Sequence, residues 1–576
     1  MAFVPQLGKP SIADFYSGKS VLVTGCTGFL GKVLLEKMLW ELCGPAFQKC
    51  EGSPRGPRVK VLIRSWRSVS AMNRFQSLID SSPAFDRLRR RHGQIAFENL
   101  LQECVEVVDG DLESDQLGLD EQSYSQLCSS LDVIIHCAAL VAWGAPLDAS
   151  LRCNAIGSKR IAHLGKDARL LAQRDVRLVI VSTAWVHGMR RGCCPEWSMS
   201  RLCGVPGESS EFATAWPKLE ADSEVRHCLA KAAHFQDSSF SVSNLESCKQ
   251  EATRRLGPSA EPTAMKTAVE EIRSRAVEAQ MAEWGLQRAR HFGWWDGYTF
   301  SKAIGESFVE ELQGGIPYAV VRPSGVVSAS VEPAPGWVDA YLLVEPLIEG
   351  VGKGQITSFP GDPSCVIDCV PVDFVCNVIL AAAAKLPSEP CSPEAAGHVY
   401  QCASGDVHPN KLGEIESTWR EYFLHNPMRD TQGRAVTVQP VDFASSAEVF
   451  ARSLRRRYVA PLQACVKAVE ILPFWESMAA TRNARGWLEK KRRGVEKVLG
   501  LANLYSTYTL NAWSFKTTNS RTLMSGLSDA DKERFPYFPG QSWDWASFWS
   551  DKHIPGMRRW VLKDQAAGIQ QPASKL

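Results

Sequence analysis

The sequence has no excess of charge of one sign and no long apolar run, and each absence excludes a class of protein. Its 65 Lys and Arg residues against 63 Asp and Glu residues leave a formal net charge of +2 over 576 residues. A chain so close to neutrality lacks the basic footprint of a general nucleic-acid-binding protein. No apolar run approaches the roughly 20 residues of a membrane-spanning helix. The longest, residues 374–384, predicts a buried core helix.

Signals for secretion and for metal binding are also missing. Residues 1–19 contain no apolar core of a secretory signal peptide, so we expect the 18 cysteines to stay reduced. No set of Cys and His has zinc-ligand spacing, and no metal site is expected. One targeting signal is present, because Ser574, Lys575 and Leu576 match a tripeptide that a peroxisomal import receptor recognises. The tripeptide predicts a protein of the peroxisomal matrix.

Short apolar segments separated by helical stretches predict an α/β fold. Strands of a buried parallel sheet read as continuous apolar runs. Such runs occur at residues 21–23, 59–63, 105–107, 133–135, 178–181 and 319–321. Their alternation with helices predicts a doubly wound parallel (Rossmann) sheet.

The predicted sheet domain covers residues 15–385 and contains a long insertion at 190–295. The first half of the insertion reads as irregular, whereas its residues 262–290 predict one long helix. After about residue 385 the alternation stops, and residues 387–393 are rich in Pro and Ser, which is typical of a linker or surface loop. We expect a mostly helical C-terminal domain at 386–565 and a tail at 566–576.

A glycine-rich turn joins the first predicted strand to the first long helix. Gly25 allows a tight turn, Gly28 lets the backbone approach a pyrophosphate, and Gly31 lets the helix pack close to the strand. The phosphates would face the helix N-terminus, where free N–H groups favour anions. This context predicts dinucleotide binding by Thr24, Gly25, Thr27, Gly28, Phe29, Leu30 and Gly31.

The residues that end the following strands predict which dinucleotide binds. An acidic residue after the second strand would hold the ribose of NAD, but Arg64 and Arg67 stand there and suit a 2′-phosphate. We therefore expect NADPH. Asp111 and Leu112 after the third strand would contact adenine, and Ala138 after the fourth leaves room for the cofactor.

A Tyr and a Lys four residues apart form the catalytic candidate. Tyr298 and Lys302 would share one helix face. A free tyrosine, with a pKa of about 10, is a weak acid–base group at neutral pH, but a neighbouring ammonium favours the phenolate. We expect Lys302 to lower the pKa of Tyr298, and Tyr298 to protonate a carbonyl oxygen as hydride reaches the carbon.

Two hydroxyl residues follow the fifth predicted strand. A hydroxyl at Ser182 or Thr183 would hydrogen-bond the substrate oxygen, although a strand-end hydroxyl also commonly caps a loop. Thr183 is the preferred candidate, and Ser182 is the second.

In this order, the motifs resemble those of the extended short-chain dehydrogenase/reductases and, more narrowly, of the fatty acyl-CoA reductases. The segments similar to that family are residues 15–32, 182–186, 298–306, 321–324, 332–337, 368–373, 511–515, 543–545 and 556–558. The resemblance covers nearly the whole chain. His187 and the Cys-rich loop after it are unusual, and residues 207–258 match no pattern of the family.

The resemblance implies a reduction in two stages. A fatty acyl-CoA would be reduced by NADPH to a hemithioacetal, which loses CoA, and the aldehyde would be reduced to a primary fatty alcohol for ether-lipid or wax-ester synthesis. Tyr298 would be the proton donor, Lys302 its electrostatic partner and a ribose contact, and Thr183 a polariser of the substrate oxygen. Asn154 would help to hold a proton-relay water, or is simply a polar helix residue.

Two basic clusters lie in the C-terminal domain, Arg452 with Arg455 to Arg457, and Lys490 to Arg493. Three interpretations stay open for them: binding of the CoA phosphates, peripheral contact with an anionic membrane around Trp487, or a solvated helix face.

Other activities of the protein also stay open. The alternatives are an acyl-CoA reductase that stops at the aldehyde, a sugar-nucleotide epimerase or dehydratase with tightly held NAD, and a non-catalytic dinucleotide sensor. Arg64 argues against the epimerase, and the presence of both Tyr298 and Lys302 argues against the sensor.

Overall fold

The computed structural model describes residues 11–44, 56–204, 216–257, 259–312, 315–387, 398–471, 479–538 and 542–564. Ser574, Lys575 and Leu576, the predicted import signal, lie outside these ranges.

Seven parallel strands form the central sheet of the described chain. In spatial order they are β11, β7, β5, β4, β1, β2 and β3. The bounds are β1 (Ser20–Thr24), β2 (Arg58–Ile63), β3 (Val105–Asp109), β4 (Val133–His136), β5 (Arg177–Val181), β7 (Tyr318–Pro323) and β11 (His398–Cys402). The strand order reverses between β1 and β4, and a crevice at such a switch point is where open α/β sheets bind ligands.

Among the described residues, three short pairs of parallel strands lie outside the central sheet. They are β6 (Gly192–Cys194) with β13 (Trp513–Phe515), β8 (Gly325–Val327) with β10 (Cys369–Pro371), and β9 (Ser358–Pro360) with β12 (Asp442–Ala444). Two of these pairs join strands that are far apart in sequence. They therefore tie the C-terminal part of the chain to the sheet domain.

Helices cover both faces of the central sheet. Up to the insertion they are α1 (Ile12–Tyr16), α2 (Phe29–Glu41), α3 (Ala71–Ser81), α4 (Asp86–His92), α5 (Gln94–Cys104), α6 (Glu121–Ser130), α7 (Leu147–Ser150) and α8 (Gly157–Ala172). After it come α13 (Gly297–Leu312), α14 (Glu345–Gly352) and α15 (Val372–Lys385). Val21 and Val23 pack with α2 and α15, whereas Leu22 packs with α6 and α8, so β1 is buried on both sides. The doubly wound α/β prediction and the buried helix at 374–384 are confirmed.

The insertion is helical to a greater extent than its sequence predicted. It contains α9 (Met199–Gly204), α10 (Ala221–Ser238), α11 (Val242–Leu256) and α12 (Pro262–His291). The prediction of the long helix is confirmed. The prediction of an irregular first half was wrong at α10, which is a regular helix that buries Val225 and Cys228. Arg288 of α12 makes two 2.7 Å hydrogen bonds to Glu224 of α10. The helix was missed because the irregular composition of the residues before it was extended to the whole first half of the insertion.

The C-terminal part is mostly helical, with one exception that joins the sheet. Its helices are α16 (Leu412–His425), α17 (Ala447–Leu454), α18 (Ala460–Ile471), α19 (Ala479–Thr509), α20 (Thr518–Ser525), α21 (Asp529–Arg534), α22 (Trp545–Ser547) and α23 (Ile554–Gly556). The expectation that strands end near residue 385 was wrong, because β11 pairs with β7 at the sheet edge. The signal is weak because the polar residues His398 and Gln401 interrupt the apolar run of β11.

Glu196, in the insertion, joins three parts of the fold. Its carboxylate accepts hydrogen bonds from the backbone N–H of Gln401 in β11 (2.8 Å) and from the hydroxyl of Ser520 in α20 (3.3 Å). Burial raises the pKa of Glu196 to about 7, in spite of these donors. Within the described ranges, no helix combines the length and the apolarity needed to cross a bilayer.

Candidate active site

A cavity of about 600 Å³ lies at the carboxyl ends of the strands, beside the switch point. It is lined by most of the residues that the sequence predicted for the site: Thr24, Gly25, Thr27, Gly28, Phe29, Leu30, Gly31, Arg64, Asp111, Leu112, Ala138, Ser182, Thr183, Tyr298 and Lys302. Two predicted residues, Arg67 and Asn154, are not among those that line it.

The glycine turn between β1 and α2 forms one end of the cavity. Gly25 has φ +79°, and a Cβ atom there would lie 2.6 Å from the backbone nitrogen of Ala138. A Cβ on Gly31 would lie 2.1 Å from the carbonyl oxygen of Gly25, so α2 packs directly on the turn. The first turn of α2 thus faces the cavity, where its unpaired N–H groups suit a pyrophosphate. This cradle fits the phosphates of a dinucleotide.

Thr24 holds the turn against the end of β4. Its Oγ1 lies 2.8 Å from Nδ1 of His136 and accepts a hydrogen bond from the N–H of Ala138 (3.1 Å). Burial, with a smaller effect of the Lys302 charge, lowers the pKa of His136 to about 3, so this imidazole is neutral at physiological pH. Thr24 therefore positions the strand ends that flank the cofactor site.

Two arginines stand at the rim that the ribose would occupy. The Arg64 guanidinium lies 3.4 Å from Asp111 and 3.3 Å from Glu113, and it stacks on the Trp66 ring at 4.8 Å. Arg74 of α3, which the sequence analysis missed, lines the same rim and hydrogen-bonds the Arg64 carbonyl. Its position ten residues beyond Arg64 carries no motif, so only the fold identifies it.

Arg67 does not join this pair. It lies in an exposed turn with φ +54°, closed by hydrogen bonds between Trp66 and Val69. In this structure Arg67 does not line the cavity, so its prediction as a cofactor ligand gains no support. The turn bends the chain away from the cavity directly after Arg64.

Lys302 and Tyr298 occupy the first turns of α13 and line the cavity together. The Lys302 ammonium donates a 2.6 Å hydrogen bond to the carbonyl oxygen of Val181 at the end of β5. Burial lowers the pKa of Lys302. Burial, with the negative charge of Asp296, raises the pKa of Tyr298, which is opposite to the predicted direction. The phenol is therefore held protonated in this state of the site.

Asp296 explains how α13 begins. Its Oδ1 accepts a 2.8 Å hydrogen bond from the N–H of Thr299, which is the N-cap geometry of α13. The carboxyl group is buried, which raises its pKa. The sequence analysis missed Asp296, although an Asp directly before a predicted helix is a recognised cap signal.

The two hydroxyl candidates differ in how they are bonded. Thr183 accepts a 3.3 Å hydrogen bond from the N–H of Trp185 and lies 3.4 Å from the carbonyl oxygen of Pro323. The Oγ of Ser182 is buried with no hydrogen-bond partner among the described residues. Both residues line the cavity. The Ser182 hydroxyl has no hydrogen-bond partner among the described residues, whereas the Thr183 hydroxyl also caps the following turn.

Asn154 lies behind the cavity wall. Its amide oxygen accepts a 2.8 Å hydrogen bond from the N–H of Leu140, and its nitrogen donates to the Leu140 carbonyl (3.1 Å) and to the Ser301 hydroxyl (3.0 Å). These bonds occupy the amide. Asn154 therefore holds the loop after β4 against α13, and the prediction of a cofactor or relay contact is not supported here.

Three aromatic side chains form a wall of the cavity. Trp143 and Trp185 come from the sheet domain, and Tyr508 comes from α19 in the C-terminal part. The ring of Tyr508 stacks on Trp143 at 5.8 Å and meets Trp185 edge-on at 4.8 Å. No sequence signal identifies Tyr508. It lies more than 200 residues after Tyr298 in the chain, and only tertiary packing brings the two residues to the same cavity.

Known proteins share both parts of this chain. A NAD-binding family model described as male sterility protein matches residues 23–379, and a second model, named Sterile and described likewise, matches residues 478–564. Fatty acyl-CoA reductase 2, chloroplastic, of Arabidopsis thaliana is 28% identical over 96% of this chain and 80% of its own length. The alcohol-forming fatty acyl-CoA reductase of Simmondsia chinensis is 26% identical over 96% of this chain and 99% of its own.

A solved structure shares the fold. The terminal R domain from the myxalamid PKS-NRPS biosynthetic pathway is 16% identical, covers 94% of this chain and 91% of its own, and has a TM-score of 0.50. The first family model alone spans more than half of the chain and contains the glycine turn and the Tyr298–Lys302 pair. The chain therefore belongs to the male sterility protein family, the fatty acyl-CoA reductases of the extended short-chain dehydrogenase/reductase superfamily.

Proposed function

We propose that this protein reduces a long-chain fatty acyl-CoA to the primary fatty alcohol, with NADPH as the reductant and an aldehyde as the intermediate. One observation carries the proposal: a single cavity joins the glycine turn, the Tyr298–Lys302 pair and an aromatic wall. The similarity to an alcohol-forming relative supports the extent of the reduction.

The residues of the cavity divide the work of the first reduction. When bound, the nicotinamide supplies the hydride. Tyr298, whose phenol is protonated at neutral pH, donates a proton to the carbonyl oxygen of the thioester. Ser182 donates a hydrogen bond to the same oxygen, since its hydroxyl has no other described partner. Lys302 keeps a positive charge beside the phenol and stabilises the phenolate that forms.

The proton balance closes with two proton donations for each substrate. The first reduction yields a hemithioacetal, which breaks its C–S bond and transfers its hydroxyl proton to the departing CoA sulfur. The aldehyde then takes a second hydride at carbon and a second proton at oxygen, and becomes the alcohol. Tyr298 must be reprotonated between the two reductions, and the aromatic wall keeps bulk water from the aldehyde.

Arg64 and Arg74 support NADPH over NADH. The end of β2 offers guanidinium groups where NAD enzymes place a carboxylate. A 2′-phosphate would exchange the Arg64 contacts with Asp111 and Glu113 for a charge-assisted hydrogen bond.

The test is NADPH oxidation with palmitoyl-CoA, with products identified by gas chromatography and mass spectrometry. We expect hexadecanol and two NADPH consumed for each CoA released. If the aldehyde is the only product, the enzyme carries out the first reduction and not the second. If NADPH binds but no acyl-CoA of any chain length turns over, the proposed substrate is wrong and sugar nucleotides become the substrates to assay.

A Tyr298→Phe variant separates chemistry from binding. We expect it to bind NADPH with unchanged affinity and to lose about 10²–10⁴-fold in kcat, because one hydroxyl of the cavity is removed and its ring remains. A loss below threefold would show that another group donates the proton.

We further propose that Ser574, Lys575 and Leu576 direct the enzyme to peroxisomes, where the alcohol feeds ether-lipid or wax-ester synthesis. The proposal rests on the tripeptide. A fluorescent fusion at the N-terminus should co-localise with a peroxisomal marker, and a Leu576→Asp variant should not. Cytosolic fluorescence of the unaltered fusion would contradict this.

A further inference from the structure

The outer face of α19 carries an exposed stripe of apolar and basic side chains. Trp487, Lys491, Val498 and Leu501 fall within an arc of about 80° around the helix axis. The exposed fraction is 58% for Trp487, 48% for Val498 and 41% for Leu501. Gly494, in the same arc, adds no side chain that would shield them. This stripe, here called the α19 stripe, therefore presents apolar surface to the outside.

Towards its C-terminal end, α19 is buried by packing partners of its own. Leu499, Ala502 and Tyr505 pack with Phe359 and Phe450 in one apolar cluster. Leu499 and Ala502 lie outside the arc of the stripe, and Tyr505 lies about one turn beyond Leu501. The core side of α19 is thus occupied by its own partners. The stripe is not needed for that packing, and its apolar residues are left without a described partner surface.

Several of the basic side chains beside the stripe have no acidic partner among the described residues. Between residues 485 and 501 the sequence has six Lys or Arg and two Glu, a net charge of +4. Arg492 pairs with both of these acids, at 2.9 Å for Glu489 and at 2.5 Å for Glu496. Lys490, Lys491 and Arg493 are exposed, and no ion pair joins them to a described carboxylate. The surface beside Trp487 is therefore positively charged.

Another long surface helix of the same molecule shows that this pattern is not general. In α12, basic residues pair with acids one turn away, as Arg273 does with Glu270 and Arg275 with Glu271. None of the large hydrophobic residues described for α12 is exposed. On α12 these charges are therefore paired and the large apolar residues are covered, whereas α19 leaves Trp487, Lys490 and Lys491 exposed.

We propose that the α19 stripe docks the enzyme onto an anionic lipid surface. Trp487 would lie at the headgroup level, Val498 and Leu501 would enter the boundary of the acyl chains, and Lys490, Lys491 and Arg493 would contact anionic headgroups. Lys491, which stands 5.6 Å above the ring of Trp487, keeps its ammonium at the surface while its stem covers apolar area.

The same helix connects this surface to the cavity. Tyr508, 21 residues beyond Trp487 and about 30 Å further along α19, lines the cavity, and Leu501 lies two turns before it. Docking through α19 would orient the cavity end of the helix relative to the bilayer, where long acyl chains partition. The docking proposal goes beyond the proposed reaction and does not depend on turnover.

The test is flotation of the full chain with large vesicles of phosphatidylcholine, alone or with about 30 mol% phosphatidylserine. We expect binding to the anionic vesicles only, and a loss of at least tenfold between about 0.1 M and 0.5 M salt. The double variant Lys490→Glu/Lys491→Glu should lower partitioning at least about tenfold, and Trp487→Ala should lower it severalfold.

Matched controls separate the stripe from net charge and from lost apolar surface. Lys249→Glu/Lys266→Glu changes the net charge equally on α11 and α12, where both lysines are exposed, and Ile95→Ala removes a side chain that is 77% exposed. Neither should alter flotation. NADPH oxidation with a short, water-soluble acyl-CoA, measured without vesicles, should be unchanged in all of these variants.

Three outcomes would overturn the proposal. The first is flotation that the stripe variants leave unchanged, or no flotation at all. The second is a higher KM for acyl-CoA in the double variant with flotation unchanged, which would assign the cluster to the CoA phosphates. The third is a smaller mass in light scattering for the Trp487→Ala variant with flotation unchanged, which would assign the stripe to a second copy of the chain.

Discussion

The hydroxyl of Tyr508 donates a hydrogen bond to the carboxylate of Asp296 across 3.2 Å. Asp296 caps α13 through Thr299, and Tyr508 lies in the last turn of α19. One buried carboxylate thus joins the start of α13 to α19. The C-terminal part therefore completes the active-site cavity and does not merely follow it in the chain.

A Tyr508→Phe variant should lower the free energy of unfolding by about 1.5–3 kcal/mol, the value of a hydrogen bond to a charged group. The ring remains and keeps its packing on Trp143 and Trp185. Urea titrations of Tyr508→Phe, Asp296→Asn and the double variant form a double-mutant cycle. A coupling energy near zero would show that the two side chains do not support each other.

Cofactor choice should depend on Arg64 and not on Arg67. We expect Arg64→Ala to lower kcat/KM for NADPH at least about tenfold and to leave kcat/KM for NADH nearly unchanged, because only NADPH has the 2′-phosphate. The exposed Arg67→Ala variant is the matched control and should behave as wild type. Equal losses with both cofactors would place Arg64 in a general structural role.

Gly25 should tolerate no side chain. A Gly25→Ala variant would pay about 1–2 kcal/mol for the left-handed backbone and would bring a Cβ atom to 2.6 Å from the Ala138 nitrogen. We expect NADPH binding, measured by fluorescence titration, to be lost. Gly144→Ala is the control, since no atom lies within 4 Å of its added Cβ. Wild-type affinity in Gly25→Ala would contradict the tight turn.

Glu196 should make stability depend on pH. Burial raises its folded-state pKa to about 7, above that of a free Glu at about 4.3, so the folded state holds the extra proton between these values. Its contribution to stability is therefore present at low pH and is lost as pH rises through about 7. Relative to wild type, Glu196→Gln should gain thermal stability from pH 5 to pH 8. A constant difference in Tm over that range would show an unperturbed carboxyl group.

Local chemistry explains which parts of the site were predictable. The order strand, glycine turn, helix is encoded within about a dozen neighbouring residues, so Thr24 to Gly31 were identified without the fold. Tyr298 and Lys302 share a helix face through their spacing alone. The direction of the Tyr298 pKa shift was predicted wrongly, because burial and Asp296 depend on what surrounds the phenol and not on its spacing from Lys302.

Contacts between distant segments decided which of the other predicted residues reach the cavity. Arg64 and Arg67 are equivalent in the sequence, yet a tight turn sends only Arg64 to the cavity. Asn154 reads as a site residue and instead holds Leu140 and Ser301.

Composition and periodicity, which act over a few residues, were enough to establish the doubly wound sheet, its glycine turn and the reactive pair. The edge strand β11, the helix α10 and the wall residue Tyr508 followed only from packing. Their stabilising partners lie tens to hundreds of residues away, where local propensity has no influence.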